Sequence, residues 1–333
     1  MSTSSSCRSG SDAPRLAAFG LAALLGVTTA ARCAPFPTRD QNPLLAGFGL
    51  PTAMPARIPA TTWSLAADLN WASTSLIQSG PSEALIVDAE TRELRLTVQR
   101  SLGEHAALQL QVPYRYTGAG QLDGFIDDWH HIFGLPEGAR AQLPKDALRI
   151  AYERDGAVLL DIQSTRSGLA DSTVSFGYAL AGTEATAASA WLSIKLPTGD
   201  ADELTGSGAT DASLALAATH RLGERWEVFG QAAVSWLGDG EILAAQQRSV
   251  VWSGMAGVSW RAVRGLHLKA QIDAHTAAFE PTTLDFLGDA LFLTVGGDYR
   301  FDSGWRLDVG VSEDVAVETA PDVVFIFGVR RDY

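Results

Sequence analysis

The chain has 333 residues, 46% hydrophobic and 19% charged, with 32 glycines, two cysteines and a formal net charge of −13. The acidic balance argues against nucleic acid as a partner, because phosphates demand a basic face. Of the two cysteines, Cys7 lies in the N-terminal targeting segment, so the exported chain keeps only Cys33 and has no disulfide framework, and no cofactor is expected from the motifs present.

The N-terminus reads as a targeting segment. Arg8 and Arg15 form a basic region, Leu16 to Ala30 is apolar, and Thr29-Ala30-Ala31 supplies the small residues of a cleavage site. The apolar run is too short for a spanning helix. Residues 1–31 are therefore read as a signal peptide. Cys33 follows Arg32 rather than the small residue that precedes a lipidated cysteine. Residues 32–61 are rich in proline and carry Asn42-Pro43-Leu44-Leu45 and Gly49-Leu50-Pro51. They read as an extended periplasmic lead-in. A flexible linker is the reading taken, with a segment tucked into a barrel mouth as the alternative.

From residue 62 to 333 the period becomes two. Trp63, Leu65, Ala67, Leu69 and Trp71 share one face, against Ser64, Ala66, Asp68 and Asn70. Tryptophans at both ends of an apolar face fit two membrane interfaces. A loop is expected from there to about Glu83. Leu94, Leu96 and Val98 then alternate with Glu93, Arg95 and Thr97. Leu108, Leu110, Val112 and Tyr114 alternate with Gln109, Gln111 and Arg115. Further hairpins follow from Asp171 onward, turning at Gly182-Thr183, Leu222-Gly223-Glu224, Arg264-Gly265 and Asp302-Ser303-Gly304. Short turns on one side and longer loops on the other are the habit of outer-membrane barrels. The closing strand carries Phe325, Phe327 and the terminal Tyr333 on one face. Arg331 departs from that face, where an apolar residue is usual. The fold class expected is all-β: an antiparallel transmembrane β-barrel of the outer-membrane type. The short segments Leu148–Tyr152 and Val158–Ile162 around Arg154-Asp155-Gly156 leave 12–14 strands open.

One amphipathic helix is expected in the long extracellular loop between Thr117 and Asp146. Leu122, Phe125, Ile126, Trp129 and Phe133 recur at helical spacing. A structured loop of this length is usually functional, and the helix is read as a plug or lid of the barrel.

The rows facing the lumen carry both signs of charge. Asp68, Arg95, Arg115, Lys195, Lys269, Asp273, Asp298, Arg300, Arg306 and Asp308 are the candidate lumen-lining residues, either a network of ion pairs or a conduit whose charges tune selectivity. His267 and His275 lie too far apart on one strand to share a metal ion. No Gly-x-Ser-x-Gly elbow is present, so no catalytic residue is nominated. Gly206-Ser207-Gly208 lacks the context of a phosphate cradle.

Several motifs together resemble the bacterial domain of unknown function 3187, a group of presumed outer-membrane barrels. They include Asn42-Pro43-Leu44-Leu45, Phe125-Ile126-Asp127-Asp128-Trp129-His130, Ser167-Gly168-Leu169-Ala170-Asp171, Leu196-Pro197-Thr198-Gly199-Asp200, Trp236-Leu237-Gly238-Asp239-Gly240 and Ala320-Pro321-Asp322. The resemblance implies location and fold, and brings no activity with it. The expected function is a passive or gated pore for small, even apolar, solutes. The alternatives are a structural or adhesive barrel with a filled lumen and acidic loops, and an outer-membrane lipid-modifying enzyme using His275. Expected partners are outer-membrane lipid, lipopolysaccharide, and the barrel-assembly machinery through the C-terminal strand, with the cell outer membrane as the location. The exported protein should begin at Arg32 or the residue before it; N-terminal sequencing that reads from Met1 would overturn the leader.

Overall fold

The computed structural model describes residues 34–58, 63–133, 139–315 and 318–333. The leader read at residues 1–31, Cys33 and the join at 59–62 lie outside them. In chain order the elements are β1 (Trp63–Ser79), β2 (Glu83–Leu102), β3 (Ala106–Gly118), α1 (Asp123–Phe133), β4 (Arg149–Arg154), β5 (Ala157–Ile162), β6 (Arg166–Leu169) and β7 (Ser172–Gly182). Then come β8 (Thr186–Leu196), β9 (Asp211–Leu222), β10 (Trp226–Trp236), β11 (Val250–Val263), β12 (Leu266–His275), β13 (Ala290–Arg300), β14 (Trp305–Asp314) and β15 (Val323–Asp332).

Consecutive wall strands pair antiparallel, and β1 pairs with both β2 and β15, so the sheet closes on itself. β6 and β7 both lie along β3 and together make one wall strand, broken at Ala170-Asp171. The result is a closed barrel of 12 strands. β4 and β5 are not wall strands. They form a hairpin that adds to the upper part of β2, where Asp88 faces Arg149 and Glu83 faces Arg154. This settles the 12–14 range at its lower end. The short arms pack Ile150, Tyr152 and Ile162 into a core instead of presenting a membrane face.

Alternation explains the wall. Leu94, Leu96, Leu108, Leu110, Leu214 and Leu216 point outward and are exposed on the isolated chain, while Asp68, Glu93, Arg95 and Arg115 point inward and are buried. A soluble sandwich would bury the first set; a bilayer covers it instead. Aromatic rings mark the belts, as where Trp226 stacks on Trp260 at 6.1 Å. Arg331 fits this belt because its guanidinium lies 5.2 Å from the Trp305 ring centroid and 4.8 Å from that of Tyr333. The Tyr333 N–H closes the seam by donating to the Trp63 carbonyl at 2.8 Å.

The loop expected after Trp71 is instead the upper half of the β1–β2 hairpin, paired from Ala72↔Thr91 up to Ser79↔Ala84. Above the membrane the pattern inverts. Leu76, Leu85 and Val87 face inward and are buried, and Ser73, Ser75, Asp88 and Glu90 face outward. A strand whose apolar face switches sides loses its membrane signature, which is why this stretch read as a loop.

The α1 helix corrects a second expectation. It is neither a plug nor a lid, for it docks on the outside of the wall near the extracellular rim. Phe125 packs edge-on against the outward-facing Phe325, ring centroids 5.8 Å apart. The outward Glu90 carboxylate accepts from the Gln121 and Leu122 N–H groups at 2.5 Å each. Arg140 ties the loop down, donating to Asp123 at 2.9 Å, Ser73 at 2.8 Å and Asp322 at 2.9 Å. Ile126 is buried, Leu122 is half-buried and Phe125 is exposed beyond its ring contact. The side chains of Trp129 and Phe133 lie outside the described residues. The apolar stripe predicted a face needing cover, and the outer surface of β15 covers part of it.

The largest apolar core sits above the membrane, beneath the extracellular loops. It gathers Leu76, Leu85, Val87, Ile150, Leu237, Phe279, Phe286 and others around Leu44, Leu45 and Phe48 of the N-terminal segment. Phe48→Ala should cost about 3–5 kcal/mol, seen as a lower temperature for loss of the compact form on a heat-modifiability gel. Arg140→Ala should raise hydrogen exchange in residues 119–128 and leave ion conductance unchanged; altered conductance would return α1 to the permeation path.

Candidate functional site

The candidate site is the lumen. Asp68, Arg95, Arg115, Lys195, Lys269, Asp273, Asp298 and Asp308 lie on inward faces and are buried, and Arg300 and Arg306 face inward and are half-buried. They assemble into separate ionic centres. On β12, β13 and β14, Lys269 reaches Asp308 at 2.6 Å and Asp298 at 3.6 Å, while Arg306 reaches Asp308 at 2.8 Å and Arg300 reaches Asp298 at 3.4 Å. His267 Nδ1 stands 3.2 Å from Asp298. Gly328 between β14 and β1 lets Asp68 into this row, since an added Cβ would lie 2.7 Å from the Asp68 carboxylate. On β2 and β3, Glu93 pairs with Arg115 at 2.6 Å and with Arg95. Near the extracellular end, Lys195 pairs with Asp171 at 2.7 Å and Asp211 at 2.9 Å. Asp171 is carried inward by the break between β6 and β7.

The lumen is not an empty conduit. Residues 34–58 thread through it, which corrects the reading of 32–61 as a periplasmic lead-in. The ascending arm runs alongside β12 with a constant offset. Lys269 donates to the Ala34 carbonyl at 3.1 Å, Gln271 to the Phe36 carbonyl at 3.2 Å, Thr38 to Asp273 at 3.1 Å, and Asp40 meets His275 Nε2 at 2.9 Å. Side chains on a strand face the same way every second residue, so a second extended chain laid along β12 meets each lumen side chain in turn. The segment turns at Pro43–Phe48 inside the extracellular core. Leu44 N–H donates to the Asn42 side chain at 3.0 Å, and the Asn42 amide donates to the Phe286 carbonyl at 2.9 Å. The turn approaches the loop after β8 so closely that a Cβ on Gly47 would lie 2.8 Å from the Gly206 backbone.

The descending arm returns along β10 and β8. Gln231 donates to the Thr52 carbonyl at 3.1 Å and accepts from the Met54 N–H at 2.7 Å. Ser189 and Trp191 both donate to the Pro55 carbonyl, at 2.7 and 3.0 Å. Arg57 donates to the Thr183 carbonyl in the short turn between β7 and β8, at 2.5 Å. The segment thus reaches from the periplasmic end of the wall to the extracellular core and back.

Two adjacent charges seat it on opposite walls. Arg39 pairs with Glu93 on β2 at 2.8 Å, and Asp40 pairs with His275 on β12. Phe36 lies under Lys269, whose Nζ is 3.9 Å from the ring centroid. Three cavities beside the segment measure about 20, 10 and 30 Å³. Each has room for about one or two waters, since a single water needs roughly 10–15 Å³, and none has room for a solute.

Sequence reasoning missed Phe36, Arg39, Asp40 and Met54 as lumen residues. The available signal was the proline spacing together with Arg39-Asp40, charges that a free linker has no need to bury. His275, nominated for lipid chemistry, has both ring nitrogens engaged, Nε2 by Asp40 and Nδ1 by the Thr276 carbonyl at 3.0 Å. Among the described residues no three His, Cys, Asp or Glu side chains converge to hold a metal ion.

In fold the chain is similar to the COG4313 outer membrane channel from Pseudomonas putida F1, with a TM-score of 0.57 at 14% identity, covering 83% of this chain and 97% of that one. Looser likenesses are to the toluene transporter TodX of P. putida, TM-score 0.42 at 12% identity over 83% and 91% of the two chains. Another is to the KdgM porin, TM-score 0.43 at 8% identity over 80% and 99%. No curated relative matches by sequence. One family model spans residues 15–333, and the chain belongs to that family, described as protein of unknown function (DUF3187).

Proposed function

We propose that the protein is an outer-membrane channel for small solutes whose gate is its own N-terminal segment, residues 34–58, delivered to that membrane by the cleaved leader at 1–31. The observation that carries this reading is the way the lumen is closed. The wall is a complete barrel without the segment, and the segment is an extended hairpin held by side-chain contacts with no strand pairing to the wall. Withdrawing it breaks hydrogen bonds and the Arg39–Glu93 and Asp40–His275 pairs and takes Phe36, Leu44, Leu45, Phe48 and Met54 out of their apolar clusters, and it leaves every wall ladder intact. Glu93 keeps Arg95 and Arg115 when Arg39 leaves, so the wall's own ion pairs persist.

A filled lumen also suits a purely structural barrel, and conductance separates the two. In planar bilayers the full chain should be closed for most of the time. The double substitution Arg39→Ala with Asp40→Ala removes both lateral anchors and should raise the open fraction about tenfold or more, tenfold being the equivalent of about 1.4 kcal/mol. Silence from both folded chains would favour the structural barrel.

A further inference from the structure

We propose that the solute exchanging with residues 34–58 is oxygen-rich and anionic, a polyhydroxy carboxylate in chemical class, taken by the wall donors that hold the segment's carbonyl oxygens. The inference rests on the channel reading above and names its substrate class.

The segment is chemically lopsided. Pro35, Pro37, Pro43, Pro51 and Pro55 carry no N–H, so the chain offers the wall carbonyl oxygens in excess of donors. The wall answers with donors throughout. Lys269 bonds the Ala34 carbonyl at 3.1 Å, Gln271 that of Phe36 at 3.2 Å and Arg95 that of Pro37 at 3.1 Å. Arg115 bonds the Ala46 carbonyl at 2.5 Å, Lys195 that of Gly47 at 2.9 Å and Trp191 that of Pro55 at 3.0 Å. In the other direction the segment's N–H groups reach wall side chains at Phe36, Gly49 and Met54. Donors to carbonyl oxygens therefore recur from the periplasmic end of the lumen to the extracellular core, among acceptors such as Glu93 and Asp273 that take Arg39 and Thr38.

That lining constrains what can replace the segment. Buried donors left without acceptors are costly, so a solute occupying this path must return oxygen atoms to them. An apolar solute cannot; beyond the extracellular core it finds apolar lining where Met54 and Ile58 meet Trp191 and its alanine neighbours, and where Phe36 meets Ala72, Val324 and Ile326, and it leaves the donors between those patches without acceptors. Four of the donors are cationic, and bonds from an ionised donor to a carboxylate are stronger than to a neutral carbonyl. Each cation also keeps a wall carboxylate: Glu93 for Arg95 and Arg115, Asp171 and Asp211 for Lys195, Asp298 and Asp308 for Lys269. Those carboxylates hold the cations in place and limit the net attraction. The match is a weakly charged, hydroxyl-bearing solute rather than a polyanion.

The test is hydrogen exchange on the full folded chain, with sodium gluconate as probe against sodium chloride at equal ionic strength, putrescine and cyclohexane. A solute that binds only the withdrawn state raises its population by a factor 1 + [L]/Kd, about tenfold at about ten times Kd. Gluconate should accelerate exchange within residues 34–58 by that factor and leave the wall strands unchanged. Equal exchange in gluconate and chloride overturns the proposal, as does acceleration by putrescine or cyclohexane instead. Failure of the channel reading registers separately, as silent bilayers from both the native chain and the Arg39/Asp40 variant.

Discussion

Glu93 sits at the wall of a filled lumen and holds three guanidiniums, Arg95 from its own strand, Arg115 from β3 and Arg39 from the segment threaded past it. The rest of the structure depends on that kind of closure. A barrel in a bilayer presents apolar side chains outward, so by alternation its inward rows fall to polar ones. Without bulk water those rows must satisfy one another. Here they do so in local centres around Glu93, Lys195 and Lys269, and the threaded segment supplies the remaining acceptors.

The same logic explains the division of the molecule by height. Within the bilayer, apolar residues face out and the interior is mixed, ionic around Glu93, Lys195 and Lys269 and apolar where Met54 and Ile58 meet Trp191 and its alanine neighbours. Above it, β1 and β2 continue but their faces exchange character, and a conventional apolar core forms inside, under the loops. The turn at Leu44, Leu45 and Phe48 is part of that core. The segment is therefore anchored at its tip by apolar burial and along its arms by hydrogen bonds and ion pairs, with Phe36, Met54 and Ile58 adding smaller apolar contacts. In the gating proposed above, the tip would resist withdrawal through packing, while the arms would give up their partners one at a time.

The family motifs make sense in this frame. Asn42-Pro43-Leu44-Leu45 forms the tip. Asp171, at the end of Ser167-Gly168-Leu169-Ala170-Asp171, crosses a break in the wall to reach Lys195. Ser207 of Gly206-Ser207-Gly208 donates its backbone N–H to Asp171 at 3.0 Å, and Gly206 gives the tip its close approach. Gly238 of Trp236-Leu237-Gly238-Asp239-Gly240 donates to Asp211 at 2.9 Å. Motifs scattered along the chain converge on one place, the seat of the segment's turn. Phe125 to His130 stands apart, on the outer wall, and so does Asp322 of Ala320-Pro321-Asp322, which accepts from the Arg140 that ties that loop down.

The sequence by itself determined the barrel, its closing strand at Phe325, Phe327 and Tyr333, and the inward placement of the charges from Asp68 to Asp308. Period-two alternation is a local property that a bilayer enforces residue by residue, so it can be read in one dimension. Tertiary structure alone decided that residues 34–58 fill the lumen and that α1 lies outside it. An extended proline-rich chain has the same local pattern in water as in a pore, and an amphipathic helix shows that it needs a partner without showing which. What separates the alternatives is complementarity with residues far along the chain: Gln271 and Gln231 for the segment, Phe325 and Asp322 for the helix.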